Sequence, residues 1–207
     1  PPDPPTGNAM LHRLLGAKIR IIASRTERAA ALEAEVARIA ESGGKALPIP
    51  LGASTPLGAL GYVRAALELN EQLPPEPDRD LQVILASSSG GTLAGLVAGF
   101  ALLGRDDVDL LAVSSDTPAE TLRETALSLA AEALELLEAD PERLEVMQPR
   151  LDVTDEEVGL GYGIPTEASR EATVLLARSE GLLVDPVYTS KAMAGLIRAV
   201  RAGRFLA

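Results

Sequence analysis

Six consecutive residues near the middle of the chain, Ser87, Ser88, Ser89, Gly90, Gly91 and Thr92, combine the groups that hold a phosphate. Glycines admit close backbone approach, successive N–H groups converge on an anion, and the start of a helix adds favourable partial charge. The hydroxyls can donate further hydrogen bonds. An aliphatic run from Leu81 to Ala86 precedes the string and a helical pattern follows from Leu93, so the spacing predicts a buried strand, a turn and a helix. The same string would also serve as a plain strand-to-helix turn whose serines cap the helix. It lacks the Gly-Lys-Ser/Thr ending of a Walker A loop and is not GxGxxG, so nucleotide sites of those types are not supported.

Two of the three tyrosines lie among turn-forming residues, Tyr162 in GLGYGIPTE and Tyr188 in DPVYTSKAMAGL. A phenol placed there can face a cleft instead of filling a core, although a packed surface ring has the same surroundings. His12, the sole histidine, sits beside an apolar helical face and reads as structural or solvated. The acidic run Asp152 to Glu157 reads as a solvated loop. With no cysteine, the chain has no disulfide, thiolate metal site or catalytic thiol.

The elements that must position these groups alternate. A helix is predicted over residues 8–15, a strand over 18–23, a long amphipathic helix over 25–42 and a short strand over 46–50. Further helices are expected over 57–73, from Leu93, over 118–139, 166–180 and 191–203, with buried strands over 81–86 and 108–114. Residues 151–165 read as loop, and PPEPDRD, residues 74–80, as a Pro-rich surface link. This order with short connections points to a parallel α/β layer. Both ends look cut within a fold.

Composition narrows the class. With 207 residues and 46% hydrophobic content, the chain can bury one good core or two modest ones. Its apolar stretches fall short of the roughly 20 residues of a bilayer span, and the Pro-rich start is unlike a signal peptide, so no membrane role is expected and the cytoplasm is the default compartment. A formal charge of -11 disfavours nucleic acid over most of the surface. A phosphate could still bind locally through backbone N–H groups.

The strings LGALGYVRAALE, SGGTLAGLVAG, GYGIPTE, ARSEGLLVDPVYTSKAMAGLI and the closing GRF resemble, in order and approximate spacing, landmarks of the D-cysteine desulfhydrase and 1-aminocyclopropane-1-carboxylate (ACC) deaminase family. DPVYTSKAMAGL is the most specific match. The resemblance runs from about Gly7 to Phe205 and implies a three-layer αβα parallel sheet of the tryptophan synthase β-like type, with pyridoxal 5'-phosphate (PLP) between two α/β domains. It further implies a lead-in loop over residues 1–6, part of the small domain over 7–50 and part of the large cofactor domain over 51–207. Ser88, Ser89, Gly90, Gly91 and Thr92 would hold the cofactor's phosphate. Tyr162 and Tyr188 would face ring and substrate as catalytic residues, and Thr189 would sit near the pyridine nitrogen.

In this family ACC deaminases carry Glu after the second tyrosine and D-cysteine desulfhydrases carry Thr. A neutral hydroxyl makes a weaker electron sink, adequate for expelling a thiolate, so Thr189 leans toward D-cysteine, with ACC or a purely phosphate-binding module as alternatives. The implied partners are a small D-amino acid or ACC-type substrate and a second copy in a homodimer. The family's Schiff-base lysine segment of GNKxRK type, its Ser-Asn-His motif and its HTGG element do not occur here, and Lys18, Lys45 and Lys191 lack that context. Lys191 reads as a structural residue at a helix start, and this polypeptide alone is expected to turn over little or no substrate. LGAST replaces a GGSN-type turn, and Leu93 stands where His is common.

Overall fold

A computed structural model describes residues 6–75 and 80–205. Residues 1–5 of the predicted lead-in and 76–79 of the Pro-rich link lie outside the described residues. The chain divides into two compact units, residues 1–50 and 51–207.

The first unit contributes two helices, α1 (Gly7–Leu14) and α2 (Arg28–Glu41), the second entered through a single 3-10 turn at Arg25–Glu27. Neither helix has a buried residue. The strands predicted over 18–23 and 46–50 do not form. Ile19, Ile21, Leu47 and Ile49 stand exposed there, and no described strand lies alongside to complete a ladder. An alternating apolar pattern specifies a strand only when a partner accepts its hydrogen bonds.

In the second unit, α3 (Pro56–Gln72) is capped by Thr55, whose hydroxyl accepts the Gly58 N–H, and proline sits in its first turn, where no donor is needed. Then follow β1 (Leu81–Ser87), α4 (Gly91–Leu103), β2 (Val108–Ser114), α5 (Ala119–Leu136), β3 (Leu151–Thr154), α6 (Glu167–Ser179) and α7 (Thr189–Arg201). The strands form one parallel sheet in the order β1-β2-β3, with Leu81 opposite Val108 and Leu110 opposite Leu151. Strand β3 corrects the reading of residues 151–165 as all loop. It is only four residues long, LDVT, too short for a periodic signal, and it forms because β2 offers a free edge.

Alternation along the strands sorts the core into two faces. Leu81, Val83, Leu85, Leu110 and Ala112 pack with α3, α4 and α5, while Ile84, Ala86, Leu111 and Val113 pack with Ala192 and Ala199 of α7. Sheet faces apolar on both sides require helices on both sides, and the result is three αβα layers. Helix α4 is buried along most of its length, from Leu93 to Ala101. It fits because Gly95 and Gly99 face α3, where a Cβ would stand 2.3 Å from Ala59 O and 2.4 Å from Ala66 Cβ respectively. The closed contact brings the N-terminus of α4 to the C-terminal edge of the sheet, where ligands bind in open α/β sheets.

Candidate functional site

The turn from β1 into α4 is built around Gly90, whose φ of 86° lies in the left-handed region that a side chain disfavours. Inside α4 the first backbone bond runs from the Ala94 N–H to Gly90 O (2.8 Å). The N–H groups of Gly91, Thr92 and Leu93 therefore precede the ladder. Ser54 takes the first: its Oγ accepts from the Gly91 N–H (3.1 Å) and donates to Ser89 Oγ (2.8 Å). Among the described residues, the N–H groups of Thr92 and Leu93 meet no acceptor. Ser54 can come this close only because a Cβ on Gly91 would lie 2.7 Å from its hydroxyl and one on Gly52 2.2 Å from Ser89 Oγ. Composition had singled out the six-residue string but not Ser54, whose spacing of 37 residues from Gly91 leaves no local signal.

Ser88 points elsewhere. Its hydroxyl donates to Asp116 Oδ1 (2.7 Å), which also receives the Thr117 hydroxyl (3.1 Å), and Asp116 lies just past the end of β2. The parallel pairing that sets Ser87 opposite Ser114 brings this carboxylate beside the β1 turn. A negative charge at the rim of an anion cradle opposes binding, an element that sequence reading missed.

The two tyrosines meet. Tyr162 and Tyr188 hydroxyls are 2.6 Å apart, and their rings stand edge to face with centroids separated by 5.7 Å. Burial, the hydrogen bond to Tyr162 and the nearby charges of Asp116 and Asp185 push the Tyr188 phenol up to about 12. Tyr188 thus stays protonated at neutral pH and serves as a neutral hydrogen-bonding group. Asp116 is the group that couples to both halves of the site, by a hydrogen bond to Ser88 and by its charge to Tyr188.

Asp185 organises the start of α7. Its carboxylate accepts the N–H groups of Val187 (2.8 Å), Tyr188 (2.8 Å) and Thr189 (2.9 Å) and the Thr189 hydroxyl (2.6 Å). Burial alone would raise this carboxyl, but the four donors outweigh it and hold it down at about 2. Thr189 Oγ in turn accepts the Asp185 N–H (2.9 Å), so its proton is committed and a lone pair is what it offers to any ligand. Lys191 is fully buried and spends its three protons on backbone carbonyls of Val158, Gly161 and Ser115 at 2.8, 3.2 and 3.3 Å. Burial lowers the Lys191 pKa, and while it is charged its three protons are all held by carbonyls, so it offers no lone pair. Among the described residues no cluster fit for a metal ion occurs, and no helix is long and apolar enough to cross a membrane.

A parallel sheet between two helical layers, with a glycine turn and open helix N–H groups at its C-terminal edge, defines an α/β protein with a candidate anion site at that edge. The chain matches the model of the pyridoxal-phosphate dependent enzyme family over residues 1–206 and belongs to that family. It is 36% identical over 209 residues to a 1-aminocyclopropane-1-carboxylate deaminase of Ralstonia nicotianae, covering 96% of this chain and 59% of that protein. A 1-aminocyclopropane-1-carboxylate deaminase of Burkholderia vietnamiensis is 37% identical over 202 residues, with the same coverage of 96% and 59%. A crystal structure of an ACC deaminase homologue superimposes with a TM-score of 0.80 at 31% identity, over 95% of this chain and 58% of that one. The fold is therefore that of the tryptophan synthase β-like PLP enzymes, and the chain spans about 59% of the length of the curated relatives it matches.

Proposed function

We propose that these residues belong to a PLP-dependent D-cysteine desulfhydrase, in which D-cysteine and water give pyruvate, ammonia and hydrogen sulfide. The observation that carries this reading is Thr189 after Tyr188, where the family's ACC deaminases carry Glu. The cradle fits a phosphate ester: open N–H groups at Thr92 and Leu93, the Ser89 and Thr92 hydroxyls, and glycines that leave the approach clear. By the same reading residues 7–50 are part of the small domain and residues 51–207 part of the large one. Bound there, pyridoxal phosphate supplies the electron sink for charge developing at the substrate's Cα.

The protein's own contribution is positional. Ser89, Gly90, Gly91 and Thr92 would anchor the phosphate, with Ser88 beside them bonded to Asp116, and Thr189, held in place by Asp185, would stand near the pyridine nitrogen as a neutral group. Tyr188, too weak an acid to ionise near neutrality, presents a neutral phenol, and its hydrogen bond to Tyr162 fixes where the two hydroxyls stand. A fixed substrate orientation converts this binding into rate.

The named relatives favour a second reading, ACC deaminase, in which ACC and water give 2-oxobutanoate and ammonia. Assaying the complete enzyme with both substrates separates the two: pyruvate and sulfide from D-cysteine support the first, and 2-oxobutanoate from ACC in their place overturns it. Thr92→Ala is expected to weaken PLP binding about 10-fold, the loss of one hydrogen bond to a charged group. Tyr188→Phe is expected to leave PLP affinity near the wild-type value and cut turnover about 100-fold. A phosphate-binding module without chemistry would respond to the first substitution and be indifferent to the second. The 207-residue chain by itself, without the family's lysine segment, is expected to release little or no pyruvate.

A further inference from the structure

The tyrosine pair joins two segments that α7 also bridges through Arg198, paired with Glu156 and Glu157, and through Lys191. Tyr188 opens α7, whereas Tyr162 ends a loop, residues 155–163, that contains three glycines at positive φ, Gly159, Gly161 and Gly163. Leu160 in that loop is 89% exposed, while Asp155 accepts the Ala119 N–H and buried Glu157 meets Arg198, so polar contacts do much of the anchoring. The Lys191 side chain does reach it: its ammonium binds Val158 O at 2.8 Å and Gly161 O at 3.2 Å from one side and Ser115 O, one residue past β2, at 3.3 Å from the other. Its backbone N–H binds Tyr188 O (3.0 Å), so one residue grips both the loop that delivers Tyr162 and the turn that carries its partner.

Burying an ammonium is costly unless its donors are matched, and here three donors meet three carbonyl oxygens. Backbone carbonyls are also the groups that coordinate potassium in proteins, and three of them match the three N–H bonds of an ammonium. We propose that Lys191 is a positioning residue, a tethered monovalent cation whose carbonyl cage sets the loop that holds Tyr162 against Tyr188. Its bearing on catalysis rests on the proposed role of the tyrosines; the pairing itself is measured without cofactor or substrate. Asp116 and Glu157 supply the nearby negative charge, and Glu157, itself buried, is approached by Arg198 at 3.4 Å.

The test is the nuclear Overhauser contact between the Tyr162 and Tyr188 rings in protein labelled on its three tyrosines. The wild type should show it in sodium buffer. Lys191→Ala should lose it while keeping its helical circular dichroism, and potassium or ammonium ions should restore it by entering the emptied cage. A ring contact that survives in folded Lys191→Ala, or that stays absent at saturating potassium and ammonium, overturns the proposal. If the alanine variant does not fold, Lys191→Met keeps the side chain's volume without its charge and should also lose the contact; a retained contact refutes the idea. Independently of any variant, Lys191 should be acetylated about 100-fold or more slower than exposed Lys18 and Lys45, as its reaction waits on local opening. Equal labelling of the three would contradict it. Both readouts stand whatever the enzyme's substrate proves to be.

Discussion

At the residue scale the site is a balance of opposing charges. The open N–H groups at the head of α4 would attract a phosphate at the proposed site, and Asp116, bonded to Ser88 in the same turn, would repel it. Two unit charges some 5 Å apart near a protein surface interact by on the order of 3 kcal/mol before screening by water and salt, so removing one is felt. Asp116→Asn is accordingly expected to tighten inorganic phosphate binding by about 3- to 10-fold, read by isothermal titration calorimetry; weaker or unchanged binding would place the anion elsewhere. The place of the Ser87–Thr92 string between β1 and α4 was legible in the residues, although the same string also makes a plain helix-capping turn. Ser54, Asp116 and Asp185 were not. The first two come from distant stretches joined only by sheet register and helix packing, and Asp185, though four residues from Thr189, looked like an ordinary turn former.

At the scale of elements, α7 depends on Asp185 as α4 depends on its glycines. Asp185→Ala removes the acceptor for three N–H groups at the head of α7, and by analogy with helix caps it should cost about 1 kcal/mol, seen as a lower midpoint in urea. The contribution has a definite pH sign. The folded carboxyl is held at about 2 against an ordinary 3.8, so its stabilisation is complete above the ordinary value and disappears as pH falls through about 2. In the alanine variant this acid-linked loss should be missing. Gly99→Ala should cost about 1–3 kcal/mol by overpacking, since its new methyl would meet Ala66 Cβ at 2.4 Å between α3 and α4. Of the elements, the long amphipathic helices were readable from their period, and β1 and β2 from continuous apolar runs bounded by turn residues. The runs at 18–23 and 46–50 join no ladder among the described residues, and β3, only the four residues LDVT, has a partner but is too short to stand out. Strand formation is a property of the pair, and a single run reports only half of it.

At the scale of the whole molecule, a chain of formal charge -11 offers an anion few welcoming surfaces. The C-terminal edge of the sheet is one because its attraction comes from backbone dipoles and hydroxyls. That placement follows from the three-layer fold, which sets α4 on one face, α7 on the other, and both N-termini at the same edge. The most direct measurement is a titration of pyridoxal phosphate into uniformly 15N-labelled protein, followed amide by amide. The account predicts saturable shifts largest at Ser89, Gly90, Thr92 and Leu93, with smaller ones at Tyr188 and Thr189, and their loss in Thr92→Ala. Shifts concentrated away from the head of α4, or none at millimolar ligand, would contradict it.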